Sequence, residues 1–294
     1  MEKQHRAGFV SILGNPNVGK STLMNALIGE RLSIITNKAQ TTRHRIMGIV
    51  NEDDFQIVYS DTPGLLTPNY KMQEYMMQYV GIALKDSDII LYMVECGETA
   101  CNEKVVASLV QSKTPVILII NKIDTASAEQ TEASKLHWEN TLQPVKTIGI
   151  SALQGDNIAE LATLIVELLP LSPPYFPKDE LTDRPMRFFV SEIIREKILL
   201  QFRKEIPYSV EIVVEGYKEK NKITHIDALI YVERESQKAI MLGHNGSSIK
   251  ELGTQSRLAI EEFIGQKVFL SLSIKVQKDW RNDDERLKRF GYGV

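Results

Sequence analysis

Along the first half of the chain, short runs of β-branched and aliphatic residues alternate with helix-length amphipathic stretches. F-V-S-I-L (9–13), F-Q-I-V-Y-S (55–60), I-I-L-Y-M-V (89–94), P-V-I-L-I-I (115–120) and V-K-T-I-G-I (145–150) read as strands. Several are apolar at nearly every position, the pattern of a strand covered on both faces. Helices are expected between them at 20–29, 72–85, 102–112, 127–142 and 157–168. Strand–helix alternation of this kind predicts an α/β unit with a mostly parallel sheet and helices on both sides.

The alternation stops at L-P-L-S-P-P-Y-F-P (169–177), whose four prolines exclude a helix or a central strand and predict a stiff, extended linker. A different order follows: a helix (187–204), two alternating strands (208–217 and 223–233), a short helix, G-H-N-G, a longer helix (247–264) and a strand (268–276). In the last strand Val268, Leu270, Leu272, Ile274 and Val276 share one face, and the other face is mostly polar. That predicts a smaller α+β unit built on an open antiparallel sheet with helices on one side. The expected boundaries are 1–170 for the α/β domain, 171–181 for the linker, 182–277 for the second domain and 278–294 for a charged tail in which Trp280 is a packing anchor.

Composition agrees with two domains: 294 residues, 43% hydrophobic and 25% charged. Cys96 and Cys101 cannot build a disulfide framework, which fits a reduced, intracellular setting, and they lack the His or Cys company of a metal site. No apolar run approaches the 18 or so residues of a membrane span. The start, M-E-K-Q-H-R-A-G, offers no signal-peptide core, and Glu2 argues against N-myristoylation. The net charge of −3 averages two unlike halves: residues 1–180 hold 15 Lys and Arg against 21 Asp and Glu, and residues 181–294 hold 20 against 17. The second half is mildly basic and open to a nucleic-acid partner, with contact resting on loop geometry and a local patch.

The first strand runs into G-N-P-N-V-G-K-S, a G-x-x-x-x-G-K-[ST] phosphate loop. Its candidate residues are Gly14, Asn15, Pro16, Asn17, Val18, Gly19, Lys20, Ser21 and Thr22. Glycines let the backbone curl so that N–H groups face phosphate oxygens, Lys20 reaches the β- and γ-phosphates, and the Ser21 hydroxyl ligates Mg²⁺. Asp61-Thr62-Pro63-Gly64 closes the second hydrophobic strand, where a carboxylate can hold an Mg²⁺ water and a glycine N–H can meet the γ-phosphate. Asn121-Lys122-Ile123-Asp124 closes the strand 115–120, and Asp124 can accept from N1–H and the exocyclic amine of guanine, a paired donor edge that adenine lacks. Ser151-Ala152-Leu153 follows the last strand, where a backbone N–H can reach the guanine oxygen. All four motifs stand at the carboxyl ends of strands, where open α/β sheets bind ligands. At these residues the chain resembles the Ras-like translation-factor class of GTPases, which implies GTP/GDP and Mg²⁺.

Between the first two motifs lies the polar S-I-I-T-N-K-A-Q-T-T-R-H-R-I (33–46). In the resembled class a threonine here closes over Mg²⁺ and the γ-phosphate; Thr42 is the choice, with Thr41 the alternative. Ser21, Thr42 and Asp61 are therefore the expected metal residues, and Lys20, Thr42, Gly64 and Asn17 the expected catalytic ones. Leu65 occupies a position where many such GTPases place a water-orienting glutamine, and leucine can neither donate nor accept. Similar bacterial GTPases pair a hydrophobic residue here with an asparagine at the Asn17 position that helps hold K⁺. The resemblance thus implies slow intrinsic hydrolysis stimulated by K⁺ or by a partner.

In the second domain, Gly243-His244-Asn245-Gly246 joins two helical stretches and lets a nucleic-acid backbone approach the main chain. The element order resembles a type II KH domain, a single-stranded RNA binder. RNA-contacting residues are then Gly243, His244, Asn245, Gly246 and Lys250; Lys238, Arg257 and Lys275 supply charge that the loop lacks. A-Q-T-T-R-H-R (39–45), the proline-rich linker, the KH order and the ending W-x-x-D-D-E-R…G-Y together resemble the Era-type ribosome-assembly GTPases over essentially the whole chain. That resemblance implies binding of 16S ribosomal RNA near its 3′ end and GTP-dependent maturation of the 30S subunit. It also implies a cytoplasmic monomer with peripheral inner-membrane association. The competing reading is a constitutive RNA-binding module for which nucleotide is a structural ligand.

Overall fold

A computed structural model describes residues 5–293. The chain start with Glu2, and Val294 at the end of the tail, lie outside the described residues. The chain divides into two compact units, one of Met1–Pro68 with Gln73–Asp183, the other of Asn69–Met72 with Arg184–Val294.

The first unit holds strands β1 (Arg6–Gly14), β2 (Ile46–Asn51), β3 (Phe55–Asp61), β4 (Ile89–Glu95), β5 (Val116–Asn121) and β6 (Lys146–Ile150). Its helices are α1 (Lys20–Ile28), α2 (Lys71–Asp86), α3 (Glu103–Gln111), α4 (Ala128–Leu142) and α5 (Ile158–Leu168). The sheet order is β2-β3-β1-β4-β5-β6, with every pair parallel except β2 and β3. Registers Ile12↔Asp61, Gly14↔Met93, Glu95↔Asn121 and Asn121↔Ile150 bring the motif-bearing strand ends to one edge of the sheet. Beneath that edge, Leu13, Ile90, Tyr92 and Val94 share a core with Val80, Val106, Leu109, Trp138 and Leu142 from α2, α3 and α4. Burial of this size makes the strand ends a fixed platform.

Two features of this unit differ from expectation. I-M-G-I-V-N forms an edge strand, β2, in a hairpin with β3 through the acidic turn at 52–54. The proline-rich stretch is extended, as expected, but it is strapped to the sheet. Gln56, fully buried, accepts from the Tyr175 and Phe176 N–H groups (2.7 and 3.0 Å) and donates to the Phe176 carbonyl (2.8 Å). Further on, the Ile49 N–H donates to the Leu181 carbonyl at 2.8 Å and the Thr182 hydroxyl to that of Met47 at 2.7 Å. The strap pairs with an otherwise open strand edge, satisfying backbone groups there.

The second unit contains α6 (Met186–Gln201), β7 (Glu211–Lys220), β8 (Ile223–Val232), α7 (Glu235–Leu242), α8 (Ser247–Ile264), β9 (Lys267–Val276) and α9 (Asp284–Arg289). The expected one-sided core is present: Val268, Leu270, Leu272, Ile274 and Val276 pack with Val190, Ile194 and Ile198 of α6 and Ile226 and Ile230 of β8. The sheet, however, is mixed. β7 and β8 are antiparallel, but β8 and β9 are parallel, in the order β7-β8-β9. The reason is connectivity: α7, the glycine loop and α8 form a long crossover that carries the chain back to the end where β8 began. The tail is anchored by the fully buried Trp280, whose Nε1 donates to the Ser209 carbonyl at 3.1 Å, and by the Tyr292 hydroxyl, 2.8 Å from Glu211 Oε2. No helix among the described residues is long and apolar enough to cross a membrane.

Candidate functional site

The phosphate loop leaves β1 at Gly14 and enters α1 at Lys20. At Gly19 the backbone is left-handed (φ 106°), and a Cβ would lie 2.4 Å from Asn121 Nδ2, so only glycine fits. Asn121 then ties three motifs together. Its Nδ2 donates to the Val18 carbonyl at 2.7 Å, and its Oδ1 accepts from the Ala152 N–H at 3.0 Å. One buried amide thus sets the spacing between phosphate loop, base motif and the S-A-L turn.

Lys20 is buried, and its Nζ donates to the Gly14 and Asn15 carbonyls at 3.0 and 2.7 Å. Burial lowers its pKa to about 8, against the opposing charges of Asp61 and Glu98. The ammonium sits among loop carbonyls, ready to exchange them for phosphate oxygens. Ser21, Thr42 and Asp61 meet beside it: Ser21 Oγ lies 2.7 Å from Asp61 Oδ2 and 2.9 Å from Thr42 Oγ1, with Thr42 Oγ1 3.3 Å from Asp61 Oδ2. Thr41 is turned away, donating to the Lys38 carbonyl at 2.6 Å, with its hydroxyl 2.7 Å from that of Thr36. Burial pushes the Asp61 carboxyl up, against the Ser21 hydroxyl and the Lys20 charge, and its Oδ1 is buried with no hydrogen-bond partner. Two hydroxyls and a buried carboxylate with an unused oxygen fit a hard divalent cation such as Mg²⁺.

Asn17 takes a left-handed backbone (φ 65°) and donates from Nδ2 to the Asn37 carbonyl at 3.2 Å, joining the phosphate loop to the 33–46 segment. Leu65 is buried in the core beside β1, its N–H donating to the Gly14 carbonyl at 3.1 Å. On the base side, Lys122 is also left-handed (φ 65°), and its Nζ reaches Glu95 Oε2 at 2.5 Å. Asp124 stands exposed at the mouth of the cleft.

The cleft is lined by Pro16, Asn17, Gly19, Lys20, Ser21, Thr22, Thr42, Gly64, Asn121, Lys122, Asp124, Ser151, Ala152 and Leu153 from the expected set. Gly14, Asn15, Val18, Asp61, Thr62 and Pro63 stand behind that lining as supports; Thr62, for example, donates to the Ile12 carbonyl at 2.8 Å. Sequence reasoning missed Glu95 and Glu98, which hold Lys122 and Asn15 from outside the cleft, and the wall formed by Ile34, Ile35 and Thr36. The two glutamates lie in an E-C-G-E turn with no motif of its own, so only geometry reveals them.

In the second unit the glycine loop is a short turn at the N-terminus of α8. Gly243 (φ 72°) has the Ser248 backbone nitrogen 2.8 Å from where a Cβ would stand, and Gly246 caps α8 in a left-handed conformation. His244 and Asn245 are exposed, with Asn245 Nδ2 3.1 Å from His244 Nε2. Lys250 and Lys275 are exposed as well. Arg257 is not an open cation: its guanidinium holds Glu261 Oε1 at 2.9 Å. Of the expected cations, Lys250 stands in the first turn of α8, directly after the loop.

Residues 9–122 match the family described as 50S ribosome-binding GTPase, and residues 205–281 match the KH domain family. The chain is 42% identical over 292 residues to GTPase Era of Carboxydothermus hydrogenoformans, covering 98% of each chain. It is 44% identical to GTPase Era of Geotalea uraniireducens, covering 99% of each. Among solved structures it is similar to a single-residue variant of Aquifex aeolicus Era bound to GDP·AlF4⁻ (TM-score 0.93, 35% identity, 98% of this chain and 100% of that one). It is equally similar to Era in complex with MgGDPNP and nucleotides 1506–1542 of 16S ribosomal RNA (TM-score 0.94, 35% identity, 99% and 100%). By identity and coverage over its whole length, the chain belongs to the Era family of GTPases.

Proposed function

We propose that the chain binds GTP in the cleft above β1, β4 and β5, hydrolyses it to GDP and phosphate, and uses the nucleotide state to time its binding of small-subunit ribosomal RNA. The observation that carries the nucleotide half is the pair of hydrogen bonds by which the Asn121 side-chain amide donates to the Val18 carbonyl and accepts from the Ala152 N–H, holding phosphate loop and base motif at one spacing. Lys20 neutralises β- and γ-phosphate charge, Asp124 accepts from the guanine edge, and the Gly64 N–H faces the γ-phosphate. Ser21, Thr42 and Asp61 hold Mg²⁺, which supplies further charge neutralisation at the phosphates when bound. Thr42, rather than Thr41, is the switch threonine in this reading because its hydroxyl is the one beside Ser21 and Asp61.

The RNA half places the 3′ region of 16S ribosomal RNA at Gly243, His244, Asn245, Gly246 and Lys250, in service of 30S maturation. It is supported by the exposed glycine loop at the head of α8 and by the RNA-bound Era structure of similar fold. A cytoplasmic monomer with peripheral inner-membrane association completes the reading. The test is binding of a short 16S 3′-end RNA by the wild type and by the His244→Asp/Asn245→Asp variant. The variant is expected to lose at least tenfold in affinity, because two carboxylates face the phosphate backbone; equal affinities would remove the loop from the RNA site.

K⁺ is the second cation of this reading. Leu65 is buried and offers no group to position water, whereas Asn17 meets the Asn37 carbonyl across the phosphate end of the cleft. Hydrolysis is expected to be faster in K⁺ than in Na⁺, with the difference lost in Asn17→Ala. Equal rates in the two salts would remove K⁺ from the mechanism.

A further inference from the structure

The turn that follows β4 touches both halves of the nucleotide cleft from behind. It is closed by the Glu98 N–H on the Glu95 carbonyl (3.0 Å), with Gly97 left-handed at its tip (φ 85°). Every polar atom of Glu98 is engaged. Oε1 accepts from Asn15 Nδ2 at 2.7 Å, Oε2 accepts from the Glu95 N–H at 3.1 Å, and the carbonyl accepts from Trp138 Nε1 at 2.8 Å. The same Asn15 amide donates to the Ala100 carbonyl at 2.9 Å. Trp138 is fully buried in α4, and Ser134, one turn earlier, accepts from the Gly97 N–H at 2.8 Å.

Asn15 is the second residue of the phosphate loop, and its carbonyl is one of the two that hold the Lys20 ammonium. A chain of direct contacts therefore runs from the rigid helix α4, through Glu98, to the loop that must keep its N–H groups and Lys20 aimed at phosphate. We propose that Glu98 is a positioning residue for the phosphate loop: it braces Asn15 against α4 and so presets the cradle for the β-phosphate. This inference rests on the assignment of Gly14–Ser21 as the phosphate site.

Brace and charge act in opposite directions. The hydrogen bond holds the loop in shape, whereas the carboxylate adds negative charge near a site for anions. Two substitutions separate them. Glu98→Gln removes the charge and keeps one acceptor oxygen, which can serve Asn15 while its amide nitrogen replaces the acceptor of the Glu95 N–H; Glu98→Ala removes the charge and both acceptors.

The test measures GDP and GMP affinity of the wild type, Glu98→Ala, Glu98→Gln, Asn15→Ala and the Glu98→Ala/Asn15→Ala double variant. GMP lacks the β-phosphate and reports on the base side of the cleft. Glu98→Ala is expected to lose about tenfold for GDP, the scale of one charge-assisted hydrogen bond, and less than twofold for GMP. Glu98→Gln is expected to lose less for GDP than Glu98→Ala does, and the double variant to lose no more than Asn15→Ala alone. Wild-type GDP affinity in Glu98→Ala, or equal losses for GDP and GMP, would overturn the brace. Additive losses in the double variant would do the same. A wild type that binds GMP but gains nothing from the β-phosphate would instead overturn the phosphate-site assignment itself.

Discussion

Asp124 and Glu261 show two ways in which a single carboxylate carries weight here. Asp124 is exposed at the cleft mouth, where it can accept from the guanine edge. Replacing it with Asn removes the charge and turns an acceptor into a donor, so Asp124→Asn is expected to weaken GDP binding by about 10²-fold. Titration with a fluorescent guanine nucleotide reads this directly. Glu261 is held by the Val268 N–H, Lys267 and Arg257, which lower its pKa to about 2. Its folded value lies below the ordinary one of 4.5, so its contribution to stability is complete above about pH 4.5 and is lost as pH falls toward 2. Urea unfolding at pH 6 and pH 3 should therefore show a smaller pH dependence in Glu261→Gln than in the wild type. At this scale, residues whose chemistry demands a type at a fixed spacing, such as Lys20, Ser21, Asp61 and Asn121, were legible in the sequence. Glu95 and Glu98 were not, because any acceptor delivered to the same point would serve, and that delivery is set by folding.

Elements were legible where hydrophobic period alone decides them. The five apolar strands of the first unit and α8 stand where the pattern places them. β2 escaped because six residues on a sheet edge, interrupted by Gly48, carry little periodic signal. The direction of β9 escaped for another reason: strand pattern reports which face is buried, whereas direction comes from the length and path of the connection. Prolines announce extension without naming a partner, so the pattern predicts a linker where the structure has a strap. Gln56 is that partner, fully buried with three hydrogen bonds to residues 175 and 176. Gln56→Ala is expected to destabilise the first unit by about 1–3 kcal/mol, at about 1 kcal/mol per bond. It should also speed proteolysis within 173–181; unchanged cleavage there would show that the strap is held by other contacts.

For the whole molecule, the division of labour follows from how each unit is built. The first devotes its sheet edge to a nucleotide cleft; the second exposes a glycine loop on a core closed by its own tail. Trp280 seals that core, fully buried and bonded to Ser209, so Trp280→Ala is expected to cost about 3–5 kcal/mol of unfolding free energy. Net charge alone concealed this arrangement, since an acidic half and a mildly basic half sum to −3. The central claim is that nucleotide state governs RNA binding. It is tested most directly by measuring the affinity of the full chain for a 16S 3′-end RNA with GDP and with a non-hydrolysable GTP analogue, each with Mg²⁺. A switch predicts binding at least tenfold tighter with the analogue, which corresponds to a coupling of about 1.4 kcal/mol. Equal affinities in the two states would contradict it and leave a constitutive RNA-binding module with a bound nucleotide.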